Sequence, residues 1–160
     1  MTQPIFEERQ RPPAGLVIVG LAISAFAIAF GIVVSDRIGH LRWQLFYAPA
    51  LALAVVTLVR MTTIVTAHYV RVTILPFPRK TFPVAEIAGC EVVTYRPFLE
   101  YGGWGWRWSV TRGPAYTMRG NRGVMVRRTN GKQLLIGSQR PEQLVAAIRS
   151  ATTQGPPSGA

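Results

Sequence analysis

Few residues of this chain stand where they could do chemistry together. Past residue 65 the carboxylates are Glu86, Glu91, Glu100 and Glu142, scattered through the sequence, and the only histidine there is His68. No nucleophile stands at a base, no glycine-rich phosphate loop appears, and no metal-ligand spacing is present. A single cysteine, Cys90, excludes an internal disulfide and a cysteine-based zinc site. It reads as a small buried hydrophobe, because a reactive thiol wants a base or a metal beside it. His40 is a lone polar residue with no role. The expectation is a protein that is not an enzyme, with no catalytic residue, no cofactor and no metal.

What remains is contact chemistry. The stretch YGGWGWRWSV carries Trp104, Trp106 and Trp108 at every second position. On a strand these indoles share one face, with Gly105, Arg107 and Ser109 on the other. Gly102, Gly103 and Gly105 imply a bulge or a close backbone approach. Two readings stay open: the indoles fill the core, or at least one of them meets lipid headgroups or a partner subunit. Trp43 and Arg60 are the other predicted contacts, Trp43 as an interfacial aromatic. Arg60 is placed to snorkel to headgroups or to pair with an acid of a neighbouring subunit. Gly20 with Ser24, and Ala27 with Gly31, have the small-xxx-small spacing that lets helix backbones approach closely. With 16 Arg and 2 Lys against seven carboxylates, the formal charge is +11. That balance suits acidic partner surfaces and, weakly, anionic lipid headgroups. No nucleic-acid-binding motif appears.

The elements that must position these residues begin with Gly15 to Val34, GLVIVGLAISAFAIAFGIVV, which has no charge. About 20 helical residues cross a hydrocarbon layer of roughly 30 Å, so a transmembrane helix is expected here. The short turn SDRIGHLR forces a second, antiparallel span from Trp43 to Val65. Arg and Lys counts on the two sides place both termini in the cytoplasm and the protein in the inner membrane. The predicted organisation is an N-terminal arm over 1–14, a transmembrane hairpin over 15–65, a cytoplasmic domain over 66–151 and a flexible tail over 152–160. About 85 residues suffice for a small core.

From Thr66 the apolar period changes from helix to strand. Val70, Val72 and Ile74 alternate with Tyr69, Arg71 and Thr73. Short strands follow at Arg79–Phe82, Cys90–Tyr95, the Trp104–Trp108 stretch, Ala115–Arg119, Val124–Val126 and Gln133–Gly137. Asn130-Gly131 reads as a type I′ hairpin turn. Ser138 is the expected N-cap of a closing helix whose apolar stripe is Leu144, Val145 and Ile148.

Three segments carry a resemblance: Ile87, Glu91 and Val92; Gly103, Trp104 and Gly105; and Gly137, Ser138, Arg140, Pro141, Glu142 and Leu144. In that order they resemble the bacterial pleckstrin-homology-like (PH-like) domains that follow two membrane helices. The similarity covers Leu16 to Ile148. It implies an all-β PH-like barrel of about seven strands with a C-terminal capping helix, behind a two-helix transmembrane hairpin. Phosphoinositide-binding PH domains carry a basic motif in the first hairpin, whereas here Leu75 to Lys80 offers only Arg79 and Lys80. The resulting expectation is a membrane-anchored accessory or scaffold subunit acting by protein-protein interaction. It would pack beside a larger integral-membrane complex, respiratory or photosynthetic, and brace its cytoplasmic face. The alternative is a free-standing membrane-surface module that binds anionic lipids or a signalling partner.

Overall fold

The computed structural model describes residues 3–38, 51, 58–75, 77, 79–109 and 113–154, with backbone alone for 31–38. The chain forms two compact units, Met1–Arg11 with Arg60–Ala160, and Pro12–Val59.

The larger unit begins with β1 (Phe6–Gln10), which lies in the stretch read from sequence as an irregular arm. It pairs antiparallel with β2 (Arg60–Val65), Phe6 opposite Val65 and Gln10 opposite Met61. β2 pairs in turn with β3 (Tyr69–Leu75), and β3 with β4 (Lys80–Pro83), giving a four-stranded sheet in chain order. Period-2 burial drives it: Met61, Thr63 and Val65 point inward, as do Val70, Val72 and Ile74. The expected second span therefore does not reach Val65. Residues 60–65 read MTTIV after Arg60, a β-branched run that suits a pleated, half-buried surface. Arg60 opens a strand opposite Leu75 and does not end a helix.

A second sheet has five strands in the order β5-β8-β9-β7-β6. These are β5 (Ile87–Thr94), β6 (Gly105–Ser109), β7 (Gly113–Thr117), β8 (Arg122–Arg128) and β9 (Gln133–Gly137). A 3₁₀ turn, Val84–Glu86, leads into β5, and a short helix α2 (Pro97–Tyr101) precedes β6. The β8–β9 hairpin inserts between β5 and β7, and β7 runs parallel to β9 through Ala115–Leu135 and Tyr116–Ile136. The closing helix α3 (Pro141–Gln154) buries Leu144, Val145, Ile148 and Ala151 and packs against β5, β8, β2 and β1. Tyr95, Tyr101, Ala115, Met125 and Leu135 form a buried cluster.

This is an α+β arrangement of two sheets, not the expected seven-stranded PH-like barrel. Among the described residues there are nine strands and no closed barrel. Local signals located most strands, but two pairings overturn the architecture. One joins β1 to β2 across the apolar segment, and the other is the parallel β7–β9 pair. Both lie between segments whose local sequence carries no register information.

The hairpin at Asn130-Gly131 exists, but not as a type I′ turn. That turn needs positive φ at both central residues, and among the described residues only glycines have it. Gly131 alone has φ 77°, its N–H donates to Arg128 O at 2.9 Å, and Arg128 N–H donates to Lys132 O at 2.9 Å. These bonds describe a type I turn closed by a glycine bulge. Ser138 likewise sits two residues too early to cap α3, whose N-cap position is Arg140. Its Oγ accepts the Arg140 N–H at 3.0 Å, while the helix starts at Pro141.

The smaller unit contributes helix α1 (Ala14–Ile38). Among the described residues no helix is long and apolar enough to cross a membrane. A two-span inner-membrane protein is therefore not supported, and the readings "membrane protein" and "transmembrane helix" fall with it. The rest of the expected second span, 43–59, lies outside the described residues apart from 51, 58 and 59.

Candidate functional site

The three tryptophans separate into different environments. Gly102, Gly103 and Gly105 have φ of 69°, 121° and 110°, so the chain turns out of α2 into β6 through backbone that side chains resist. Trp104 is fixed at this turn. Its Nε1–H donates to Gly120 O at 3.0 Å, and its ring meets Phe98 edge-on at 5.0 Å between centroids. Trp106 and Trp108 lie on β6 opposite Tyr116 and Pro114 and are 49% and 69% exposed. Trp106 approaches Phe77, itself 45% exposed, at 6.4 Å. Two indoles and a phenyl ring thus form an exposed aromatic patch on the edge strand of the second sheet, beside the β3–β4 connection.

Trp108 also lines a cleft of about 340 Å³ with Lys80, Phe82, Pro114, Arg128 and Lys132. Phe82 is buried, so the floor is apolar. Lys80 comes from the edge strand β4, and Lys132 from the Asn130-Gly131 turn. Arg128 forms an ion pair with Glu86, and its guanidinium lies 5.9 Å from the Phe82 ring. Its Nε–H is buried without an acceptor among the described residues. Neither lysine has a carboxylate partner among the described residues, so the cleft keeps an excess of positive charge over an aromatic floor.

The remaining predicted positions divide as follows. Gly20 and Ser24 are buried and Ala27 is half-buried, and all three lie on one face of α1. Gly31 belongs to the same helix. Away from that seam Leu16, Ile18, Val19, Leu21, Ile23, Phe26, Ile28 and Phe30 are exposed on the remaining faces of the helix. Arg60 is exposed at the start of β2. Trp43 lies outside the described residues.

The groups capable of chemistry stay dispersed. Cys90 is buried with its Sγ–H directed at Val145 O, 4.0 Å away, and burial pushes its thiol pKa up, away from the reactive thiolate. His68 is exposed, and its carbonyl accepts the Val84 N–H at 3.0 Å. Glu142, at the start of α3, is held below the usual carboxylate range by backbone N–H donation and by Arg122. No group of three or more potential metal ligands exists among the described residues.

One cluster escaped the sequence reading. Glu8 on β1 is only 5% exposed. Its carboxylate accepts from Ser138 Oγ at 2.5 Å, Gln139 N–H at 2.8 Å and Gln10 Nε2 at 3.2 Å. Gln10 Nε2 also donates to Gly137 O at 2.9 Å, and Arg140 Nη2 to Glu7 O at 3.0 Å. The Arg140 guanidinium lies 5.2 Å from the Phe6 ring. Together these bonds clamp the N-terminal strand onto the segment that starts α3. The signal was the alternation Phe6, Glu8, Gln10, concealed because two of its three inward residues are polar.

No family profile matches this chain, and no curated protein matches it. The resemblance to two-helix PH-like proteins is therefore withdrawn. Ile87, Glu91 and Val92 lie on a strand, Gly103 and Trp104 lie in the turn before β6, and Pro141 starts a helix, but the sheets they join are not a closed barrel.

Proposed function

We propose that this protein is a non-catalytic accessory subunit that packs beside a larger integral-membrane complex. The observation carrying this reading is the surface of α1, where eight large apolar side chains from Leu16 to Phe30 are at least 41% exposed. Burying each contributes about 1.5–3 kcal/mol, so water is a poor environment for this helix and the apolar surface of another subunit is a good one. The buried Gly20-Ser24-Ala27 seam supplies close backbone approach on one side of the helix and leaves the remaining faces for partners.

A photo-crosslinking amino acid in place of Phe26 tests the assignment in cells of the source organism. The expected result is one or two discrete adducts of defined mass, absent when the same probe replaces exposed Arg119. A smear of lipid-sized or random adducts would contradict it.

A second reading has its own observation. Exposed Trp106 and Trp108 beside Lys80 and Lys132 suit a free-standing module that binds an anionic surface, whether lipid headgroups or an acidic signalling partner. Such a module would give no discrete adduct at position 26.

A further inference from the structure

We propose that the cleft between Lys80 and Lys132 is the docking groove for an acidic, extended segment of a partner protein. This deepens the accessory-subunit reading and rests on its premise that the chain acts by binding other proteins. Charge complementarity is the first argument. Lys80, Arg128 and Lys132 line the cleft, no carboxylate among the described residues does, and Glu86 offsets only Arg128.

The second argument is the aromatic surface. Trp108 at 69% exposure forms one wall and Phe82 the floor, and the exposed surface continues from Trp108 along β6 to Trp106 and Phe77. Tryptophan next to cations is the composition of an interface hot spot. A patch longer than the cleft itself fits a chain better than a compact ion.

The third argument is backbone chemistry. β4 is the outer strand of the first sheet and β6 the outer strand of the second. The cleft takes Lys80 and Phe82 from β4, and from the second sheet it takes residues of β7, β8 and β9 as well as Trp108 of β6. An outer strand such as β4 presents backbone N–H and C=O groups, and an extended peptide satisfies them by adding as a further strand. A lipid headgroup offers no such repeat. An acidic residue on the bound strand answers each lysine, and an apolar residue lies on Trp108.

The test uses the purified full chain and a fluorescein-labelled peptide of alternating glutamate and valine, read by fluorescence anisotropy at low and moderate salt. The expected result is saturable binding that weakens with salt. It should be lost by roughly tenfold or more in the Lys80→Glu, Lys132→Glu double variant and in Trp108→Ala. Arg119→Glu should bind as the wild type does, and an alternating lysine and valine peptide should not bind. Should Trp108→Ala disturb the fold by circular dichroism, the lysine reversal decides, since both lysines are solvent-facing. Absence of saturable binding, or binding indifferent to the lysine reversal, overturns the proposal. So does binding of phosphatidylglycerol vesicles through these lysines without peptide binding, which would assign the groove to headgroups. Failure here leaves the crosslinks from position 26 untouched, and failure of those crosslinks leaves peptide binding to the isolated chain measurable.

Discussion

At the scale of single residues, three indoles of one short sequence have three different surroundings. Trp104 holds a hydrogen bond and an edge-on ring contact, so Trp104→Ala should cost about 3 kcal/mol in denaturant unfolding. Trp108→Ala, at 69% exposure, should leave the unfolding midpoint unchanged. Equal losses at both sites would show that the division is wrong. The spacing predicted a shared face, which holds for Trp106 and Trp108. It could not predict that Trp104 lies before the strand, because that depends on the positive φ of Gly105 and on the distant Gly120 carbonyl. Tyr95 makes a second residue-scale prediction. It is 1% exposed, and burial above all pushes its phenol from 10.0 up to about 12. A group whose pKa is raised by folding contributes stability that is whole below its unfolded pKa and is lost as pH rises through its folded one. Stability should therefore fall from pH 10 toward about 12, and Tyr95→Phe should flatten that decline. A wild-type profile already flat across that window would contradict the burial argument.

At the scale of elements, strands were legible wherever one face is uniformly apolar, as in Val70, Val72 and Ile74. They were illegible where the inward face is polar, as in Phe6, Glu8 and Gln10. The clamp on Glu8 gives the clearest test. Glu8→Ala leaves the Ser138 hydroxyl and the Gln139 N–H without their acceptor, at a cost of about 1–3 kcal/mol for each buried group left unsatisfied. The expected outcome is earlier proteolysis within residues 3–11 and a lower thermal midpoint, with near-wild-type behaviour in Glu7→Ala. Unchanged cleavage in Glu8→Ala would mean that the strand is held by its ladder alone. The Asn-Gly turn was legible as a turn but not in type, because local sequence does not distinguish one positive φ from two. A Cβ at Gly131 meets nothing within 4 Å, so Gly131→Val reports backbone strain alone. It should destabilise the sheet unit by roughly 1–2 kcal/mol, and Gly131→Asn by less. Equal stability of the two variants would count against the glycine bulge.

At the scale of the molecule, architecture was the least legible level. The parallel β7–β9 pair and the β1–β2 ladder join segments far apart in sequence, and no periodicity encodes which strands meet. The proposed accessory role rests on composition instead, on the excess of arginine and on the apolar stretch of α1 from Leu16 to Phe30. The central claim is that this chain works inside a larger assembly and performs no catalysis of its own. Extraction in mild detergent followed by native sizing, with the chain detected by an antibody, tests it most directly. The account predicts a discrete, stoichiometric species several times the 17.6 kDa of the free chain, one that persists at moderate salt. Migration wholly as a monomer or small homo-oligomer would contradict it.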